Sequence, residues 1–156
     1  MVDQSAEAVM TTVLDINKNN LFKCREFPKD VNLQKGINRL SCGMFISKIK
    51  KPKKSQLQQV CLYIHDEDTT KLQYISSIKE PKKSKIDLLS VTSVSDSLSV
   101  PLHKKLKQYN SLLLTVFYGS AQELLLIFKT LEEKMEWWAG LEYFIKRAHD
   151  LKKLKP

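Results

Sequence analysis

The feature that most constrains the fold is an amphipathic helix predicted over residues 130–149. Thr130 and Glu133 have the spacing of a capping box, in which each side chain accepts a hydrogen bond from a backbone N–H group of the first turn. Apolar residues then recur at three- and four-residue steps, which predicts one apolar face: Met135, Trp138, Leu141, Ile145 and Ala148, flanked by Trp137 and Phe144. The charged residues are expected to point in other directions: Glu132, Lys134, Glu136, Glu142 and Lys146. Burying one Trp, Leu or Phe is worth ~1.5–3 kcal/mol, so this face should anchor the fold or a partner.

Upstream of the helix, short apolar or alternating segments predict seven antiparallel strands. Their predicted ranges are 40–50, 57–66, 71–77, 86–94, 98–100, 111–118 and 123–129. Gly43 is a candidate β-bulge or site of close backbone approach, and residues 119–122 are a candidate hairpin loop. One helix cannot cover seven strands of a flat sheet. The predicted fold class is therefore α+β, mainly β: a bent seven-stranded antiparallel β-sandwich or partial barrel capped by a C-terminal helix.

The N-terminal region differs from this pattern. Residues 5–16 combine good helix formers with apolar positions, which predicts an extra N-terminal helix, and residues 21–32 resemble a connector. The expected organisation is a helix and connector over 1–32, one domain over 33–149 and a basic tail over 150–156. No apolar run approaches the ~18 residues needed to cross a bilayer, and the start lacks a secretory signal pattern. Three cysteines without a CxxC pair favour reduced thiols in a cytoplasmic protein and no metal site.

The net charge of +9 predicts an anionic partner. Of 26 basic residues three are arginine (Arg25, Arg39 and Arg147), which leaves 23 lysines. Lysine is a mobile point charge that suits phosphate, whereas base edges and carboxylates favour the arginine fork. Compositional bias is the alternative explanation, and charge at turns is often only a solvated surface. The lysines concentrate at three predicted turns, around residues 50–54, 79–85 and 103–107.

Other functional classes have little support in the sequence. The histidines, His65, His103 and His149, lie near predicted turns or a helix end, and the chain has no glycine-rich phosphate loop, GxSxG or HExxH motif. We therefore expect neither catalysis nor a cofactor. Nucleic-acid binding fits the charge, but the aromatic residues occupy core-facing positions instead of alternating with lysines, so no nucleic-acid partner is expected.

Several motifs, in order over residues 33–148, resemble those of pleckstrin-homology domains. They are Lys35 with Gly36, a lysine-rich first turn, Leu72 with Tyr74, IDL at 86–88, the hairpin SLLLTVFY and ELLLIFK, and WWAGL at 137–141. In this family the last helix carries a nearly invariant tryptophan. The subtype found in phosphoinositide phospholipase C has it in the spacing W-x-x-G-L, which selects Trp137. We expect Trp137 to be buried against the hairpin and Trp138 to matter less.

The resemblance implies a non-enzymatic module on a cytoplasmic membrane surface, bound to anionic phospholipid such as phosphatidic acid or phosphoinositide. The implied site is the open end of the sandwich, opposite the helix, where the first and second basic turns converge. The implied lipid-binding residues are Lys48, Lys50, Lys51, Lys53 and Lys54 in the first turn, Lys79, Lys82, Lys83 and Lys85 in the second, and Lys104 and Lys105 on a third side. Clustered lysines near an anionic leaflet contribute ~1 kcal/mol each.

One departure from the family pattern concerns selectivity. High-affinity phosphoinositide binders place a basic-x-Arg pair at the start of strand two, where this chain has Leu57, Gln58 and Gln59. Without that arginine a bidentate grip on an inositol phosphate is missing, so we expect weaker or less selective binding, which Gln59→Arg should strengthen. A lipid-insensitive scaffold that binds a protein partner remains the alternative.

Overall fold

A computed structural model of the chain describes residues 26–51, 56–76, 83–96 and 102–154. Within these ranges its regular elements are helix α1 (Leu33–Cys42), strands β1 (Met44–Lys51), β2 (Gln56–His65), β3 (Asp68–Ser76), β4 (Lys83–Asp87), β5 (Val91–Ser95), β6 (Leu113–Tyr118) and β7 (Gln122–Ile127), and helix α2 (Leu131–Lys153). Two 3-10 helices, Leu88–Ser90 and Lys104–Leu112, precede β5 and β6. The predicted helix at 5–16 and the predicted strand at 98–100 lie outside the described residues.

The strands form one antiparallel sheet in the order β4-β3-β2-β1-β7-β6-β5. Strand β1 joins two meanders: it pairs with β2 along most of its length, but with β7 only through Ser47 with Ile127 and Lys48 with Leu126. Side chains from all seven strands meet α2 in a single apolar cluster. Residues at both ends of the strand order can reach one cluster only if the sheet curls, so the predicted bent, helix-capped fold is confirmed.

The C-terminal hairpin and helix follow their sequence signals closely. Gly119, with φ of 65°, opens the β6–β7 turn, a backbone conformation that glycine adopts without strain. The Thr130 hydroxyl accepts a hydrogen bond of 3.1 Å from the Glu133 N–H and fixes the start of α2. The strand bounds shift slightly, since residues 111–112 end a 3-10 helix and the predicted strand over 86–94 is divided by Leu88–Ser90.

The first predicted strand is wrong over its N-terminal part, where α1 ends. The Asn32 side chain accepts from the Lys35 N–H at 3.0 Å and caps α1, and Gly43, with φ of 81°, ends it instead of forming a bulge. Lys35 and Gly36, the first of the motifs that resemble the pleckstrin-homology family, therefore belong to a helix. The spacing of Leu33, Ile37 and Leu40 is the helical signal that the strand interpretation missed.

Helix α2 is covered on more than its apolar side, which corrects the expected placement of its charged residues. Lys134, Glu136 and Glu142 are 3%, 3% and 4% exposed. The guanidinium of Arg39 on α1 contacts the Glu136 carboxylate at 3.0 Å. The Lys134 ammonium donates to the Ser111 carbonyl at 2.9 Å, in the segment before β6. Burial of Glu136 and Lys134 is compensated because α1 and that segment supply their partners.

Both tryptophans of α2 lie in the core. Trp137 is 0% and Trp138 2% exposed. The Trp137 ring packs on Phe128, at 5.7 Å between centroids, just after β7 as expected. The Trp138 ring lies 5.8 Å from Phe27, and its N–H donates to the Glu142 carboxylate at 2.8 Å. Equal burial removes the structural basis for expecting Trp138 to matter less.

The two helices cross at a pair of glycines. A Cβ on Gly36 would lie 2.0 Å from the Glu136 carbonyl oxygen, and one on Gly140 would lie 2.7 Å from the Gly36 backbone. Real Cβ atoms do not approach backbone this closely, so neither position accepts a side chain without separating the helices. The glycine of the WWAGL motif, Gly140, is thus required in this chain by the close contact between the helices.

We predict that Gly36→Ala destabilises the chain, although the same change in an open helix stabilises it by ~1 kcal/mol. Overpacking costs ~1–3 kcal/mol and should exceed the gain in helix propensity. Urea unfolding followed by tryptophan fluorescence measures the difference. Lys35→Ala, at the neighbouring exposed position, is the control and should leave the midpoint nearly unchanged. An increase in stability for Gly36→Ala would contradict the helix crossing.

Candidate functional site

The candidate site lies on the inner face of the curled sheet, at the end where β1 turns into β2 and β3 into β4. Successive side chains of a strand alternate between faces, so Ile46, which lies in the core cluster, shares its face with Lys48, and a register shift between Ile49 and Lys51 interrupts the alternation at Lys50. Lys51 pairs with Gln56 and Ile75 with Lys83, which brings both connections to the same end of the sheet. Lys48 therefore occupies the inner rim of this end, and Lys50 lies close enough to influence its charge.

Lys48 is the most distinctive cation at this rim. It is half-buried, and its ammonium lies 5.8 Å from the ring centroid of Tyr74 on β3, within the range of a cation–π contact. Burial, and secondarily the charge of Lys50, hold the pKa of Lys48 below its usual range. The folded chain thus keeps an ammonium group where its charge is partly desolvated, next to a second positive charge.

Tyr118 extends the aromatic part of the site. It lies at the end of β6 and packs against the core cluster together with Tyr74. Burial, with a smaller electrostatic contribution from Tyr74, raises the pKa of the Tyr118 hydroxyl, so the group is neutral at physiological pH. Neither tyrosine was named as a site residue from the sequence. The alternation of side chains along β3 and β6 places both tyrosines on one face, but the sequence does not show which face is the inner one.

Gln58 and Gln59 lie on opposite faces of β2. Gln58 pairs with Lys48 across the ladder, so it faces inward, and its amide donates to the Ser76 hydroxyl at 3.2 Å. Gln59 pairs with Ser47 and lines a shallow groove on the outer face. The register therefore makes Gln58, and not Gln59, the position from which an arginine would reach the inner rim.

The remaining predicted lysines are divided among several places. Lys83 and Lys85 are exposed and pair with Ile75 and Gln73, which puts them on the outer face of β4. Lys104 and Lys105 are exposed at the start of a 3-10 helix whose Leu106 is buried in a separate outer cluster. Lys51 belongs to β1, but its side chain lies outside the description. Four further predicted residues lie outside the described ranges: Lys53, Lys54, Lys79 and Lys82.

Comparisons with solved structures identify the architecture. Inner Membrane Complex sub-compartment protein 1 from Toxoplasma gondii superposes with a TM-score of 0.57 at 13% identity, over 79% of this chain and 98% of that one. Sub-compartment protein 3 from the same organism gives 0.56 at 15%, over 80% and 90%. The PH domain from TgAPH gives 0.51 at 14%, over 79% and 93%. The chain has a pleckstrin-homology fold. No protein-family profile and no curated protein sequence matches it.

Among the described residues, no cluster of three or more His, Cys, Asp or Glu side chains could hold a metal ion. No α-helix in the described part of the chain is both long and apolar enough to span a membrane.

We predict opposite effects of Lys48→Met on stability and on binding to acidic vesicles. Because burial lowers the pKa of Lys48, the folded state disfavours its charged form, and replacing it with an apolar side chain should raise the urea midpoint. Loss of one lysine near an anionic surface should weaken binding ~5-fold, the equivalent of ~1 kcal/mol. Lys35→Met, at an exposed position of α1, should change neither quantity. A lower midpoint for Lys48→Met would show that the ammonium is well compensated.

Proposed function

We propose that this chain is a non-enzymatic module that binds anionic phospholipid head groups at the end of the sheet containing Lys48. Cytoplasmic membrane surfaces would be its place of action. The lysine-rich connections after β1 and β3 would add attraction to the same surface, since both leave the sheet at this end. The W-x-x-G-L spacing supports a relation to the phospholipase C subtype, although Gly140 also has a local role in the contact with Gly36.

The observation that carries the proposal is the environment of Lys48. Its ammonium lies 5.8 Å from the Tyr74 ring centroid, and among the described residues burial and the nearby Lys50 disfavour its charged form and lower its pKa. A phosphate group at the rim would supply a negative charge. The charged form of Lys48 would then be more stable in the bound than in the free protein, which favours binding. A solvated surface lysine would gain much less from the same phosphate.

The composition of the rim favours a compact phosphate monoester. Among the described residues of the inner rim the cations are lysines, and Gln58 occupies the inward position beside Lys48. Lysine binds a phosphate as a point charge and does not impose the planar bidentate geometry of arginine. Phosphatidic acid, whose phosphate carries up to two negative charges, should therefore compete well with phosphoinositides.

A protein-binding scaffold is the second candidate, supported by an apolar groove on the outer face. The groove has a volume of about 270 Å³ and contains Phe45 and Leu57, which are 55% and 43% exposed. Exposed aromatic and aliphatic side chains beside a cleft are common at protein interfaces. A chain that binds no acidic vesicle would leave this groove as the better-supported functional surface.

We predict that the chain sediments with vesicles containing phosphatidic acid but not with neutral vesicles, and that added salt weakens the association. Replacing Lys50, Lys51, Lys53 and Lys54 by alanine should reduce binding several-fold or more, since each lysine contributes ~1 kcal/mol and charges are screened beyond ~8 Å at physiological ionic strength. Circular dichroism checks that the variant is folded. Unchanged sedimentation of the folded variant would exclude the first turn as a lipid contact.

The two glutamines of β2 provide a matched test of selectivity. We predict that soluble inositol trisphosphate binds the unmodified chain poorly and that Gln58→Arg raises its affinity ~10-fold, because an inward guanidinium adds a charge-assisted bidentate contact. Gln59→Arg adds the same charge on the outer face and should change the affinity little. Calorimetry measures both. Micromolar binding by the unmodified chain would show a specific pocket already present, and equal gains for the two variants would contradict the inner-face assignment.

A further inference from the structure

A large groove lies between the segment before α1 and the C-terminal half of α2, and it shares no residue with the lysine rim. Its volume is about 570 Å³. Phe27, Pro28 and Val31 form one wall, and the side of α2 from Ala139 to Leu154 forms the other. The lipid-binding proposal does not use this groove.

The groove is lined by apolar side chains that the described residues leave accessible to solvent. Leu33 is 43%, Tyr143 38% and Leu154 79% exposed, and all three line it. These are three of the seven large apolar side chains that are exposed in the described part of the chain. Their concentration in one concave site is typical of a surface that something else covers.

We propose that residues 5–16 of this same chain dock into the groove as an amphipathic helix. Within this segment Val9, Val13 and Ile16 follow the i, i+4, i+7 spacing and would share one helical face. A helix of this length is ~18 Å long, and the wall from Ala139 to Leu154 spans ~22 Å at 1.5 Å per residue. The predicted helix thus fits within the length of the groove wall, and its apolar stripe from Val9 to Ile16 covers ~10 Å of it.

The connection along the chain allows this docking. Phe27 is part of the groove wall, so the ten residues 17–26 join the segment directly to its proposed site. A connector of that size spans at most ~33–36 Å when extended, which exceeds the length of the groove. The short tether also gives a high effective concentration, on the order of millimolar, which favours docking in cis over a second molecule.

Charge favours the same occupant. Residues 1–16 contain Asp3, Glu7 and Asp15 and no lysine or arginine, in a chain whose net charge is +9. The groove is bordered by three basic side chains, those of Lys29, Lys146 and Arg147. The groove also contains two acidic side chains: Glu142 accepts from the Trp138 indole, and Asp150 pairs with Lys146 at 2.9 Å, which leaves Lys29 and Arg147 as the basic side chains outside that ion pair. An acidic helix therefore complements the rim.

Hydrogen exchange of the full-length chain tests the proposal directly. Isolated helices shorter than ~12–15 residues are marginal in water, so protection of amides 8–16 requires docking. We expect these amides to exchange at least ~10-fold more slowly than an unstructured peptide. Val13→Asp, on the proposed apolar face, should abolish the protection. Thr11→Asp, on the opposite face, should preserve it. Absence of protection in the unmodified chain would overturn the proposal.

Variants of the groove provide the reciprocal test with little risk to folding. Leu154→Asp combined with Leu33→Asp alters two exposed side chains and should remove the protection of residues 8–16. Leu57→Asp changes an exposed leucine on the outer face of the sheet and should leave it intact. Circular dichroism confirms the fold of each variant. Protection that survives in the groove variant would place the segment elsewhere and overturn the assignment.

Two other occupants give distinct results. Protection that falls on dilution would assign the groove to the segment of a second molecule, and protection independent of concentration supports docking in cis. A fatty acid or phospholipid that copurifies with the unmodified chain, but not with the groove variant, would assign the groove to an acyl chain. Either the second-molecule or the acyl-chain result overturns the proposal and leaves the lysine rim unaffected.

Discussion

Burial of α2 from two sides is the constraint on which the rest of the structure depends. The curled sheet takes up Trp137, and α1 covers the side that carries Glu136. A carboxylate removed from water costs several kcal/mol unless it is paired, and its partner here is Arg39 of α1. The contact requires close approach of the helix backbones, which Gly36 and Gly140 permit. Sheet, α1 and α2 are consequently parts of one packing arrangement, with Leu40 of α1 inside the main apolar cluster.

Local signals were sufficient where a segment's partner lies nearby in sequence. The β6–β7 hairpin and the capped start at Thr130 combine strong periodicity with turn or cap residues, so their existence was predictable. Helix α1 was missed because an internal glycine lowers helix propensity, and the packing that compensates comes from α2. The buried charges of α2 were misplaced for the same reason: Arg39 and Glu136 are 97 residues apart, a pairing that no local pattern contains.

The candidate site shows a different limit of sequence interpretation. Lysine-rich turns can be recognised from composition, yet the face on which each lysine lies depends on strand register, where a shift of one residue reverses every side chain. Register places Lys48 inside and Lys83 outside, and it separates two adjacent glutamines into an inward and an outward position. The positive charge at one end of the sheet was thus predictable. Which side chains line the inner rim could be assigned only from the strand pairing in the structure.

The single residue between α1 and β1 has a mechanical consequence. Gly43 alone separates the helix from a strand at the centre of the sheet, so the two cannot move independently over more than the freedom of one residue. A pulling force applied upstream of α1 would first load the interlocked helix pair and only then shear β1 from β2. The packing of α1 against α2 would therefore bear tension from the N-terminal part of the chain before it reached the strand that contains Lys48.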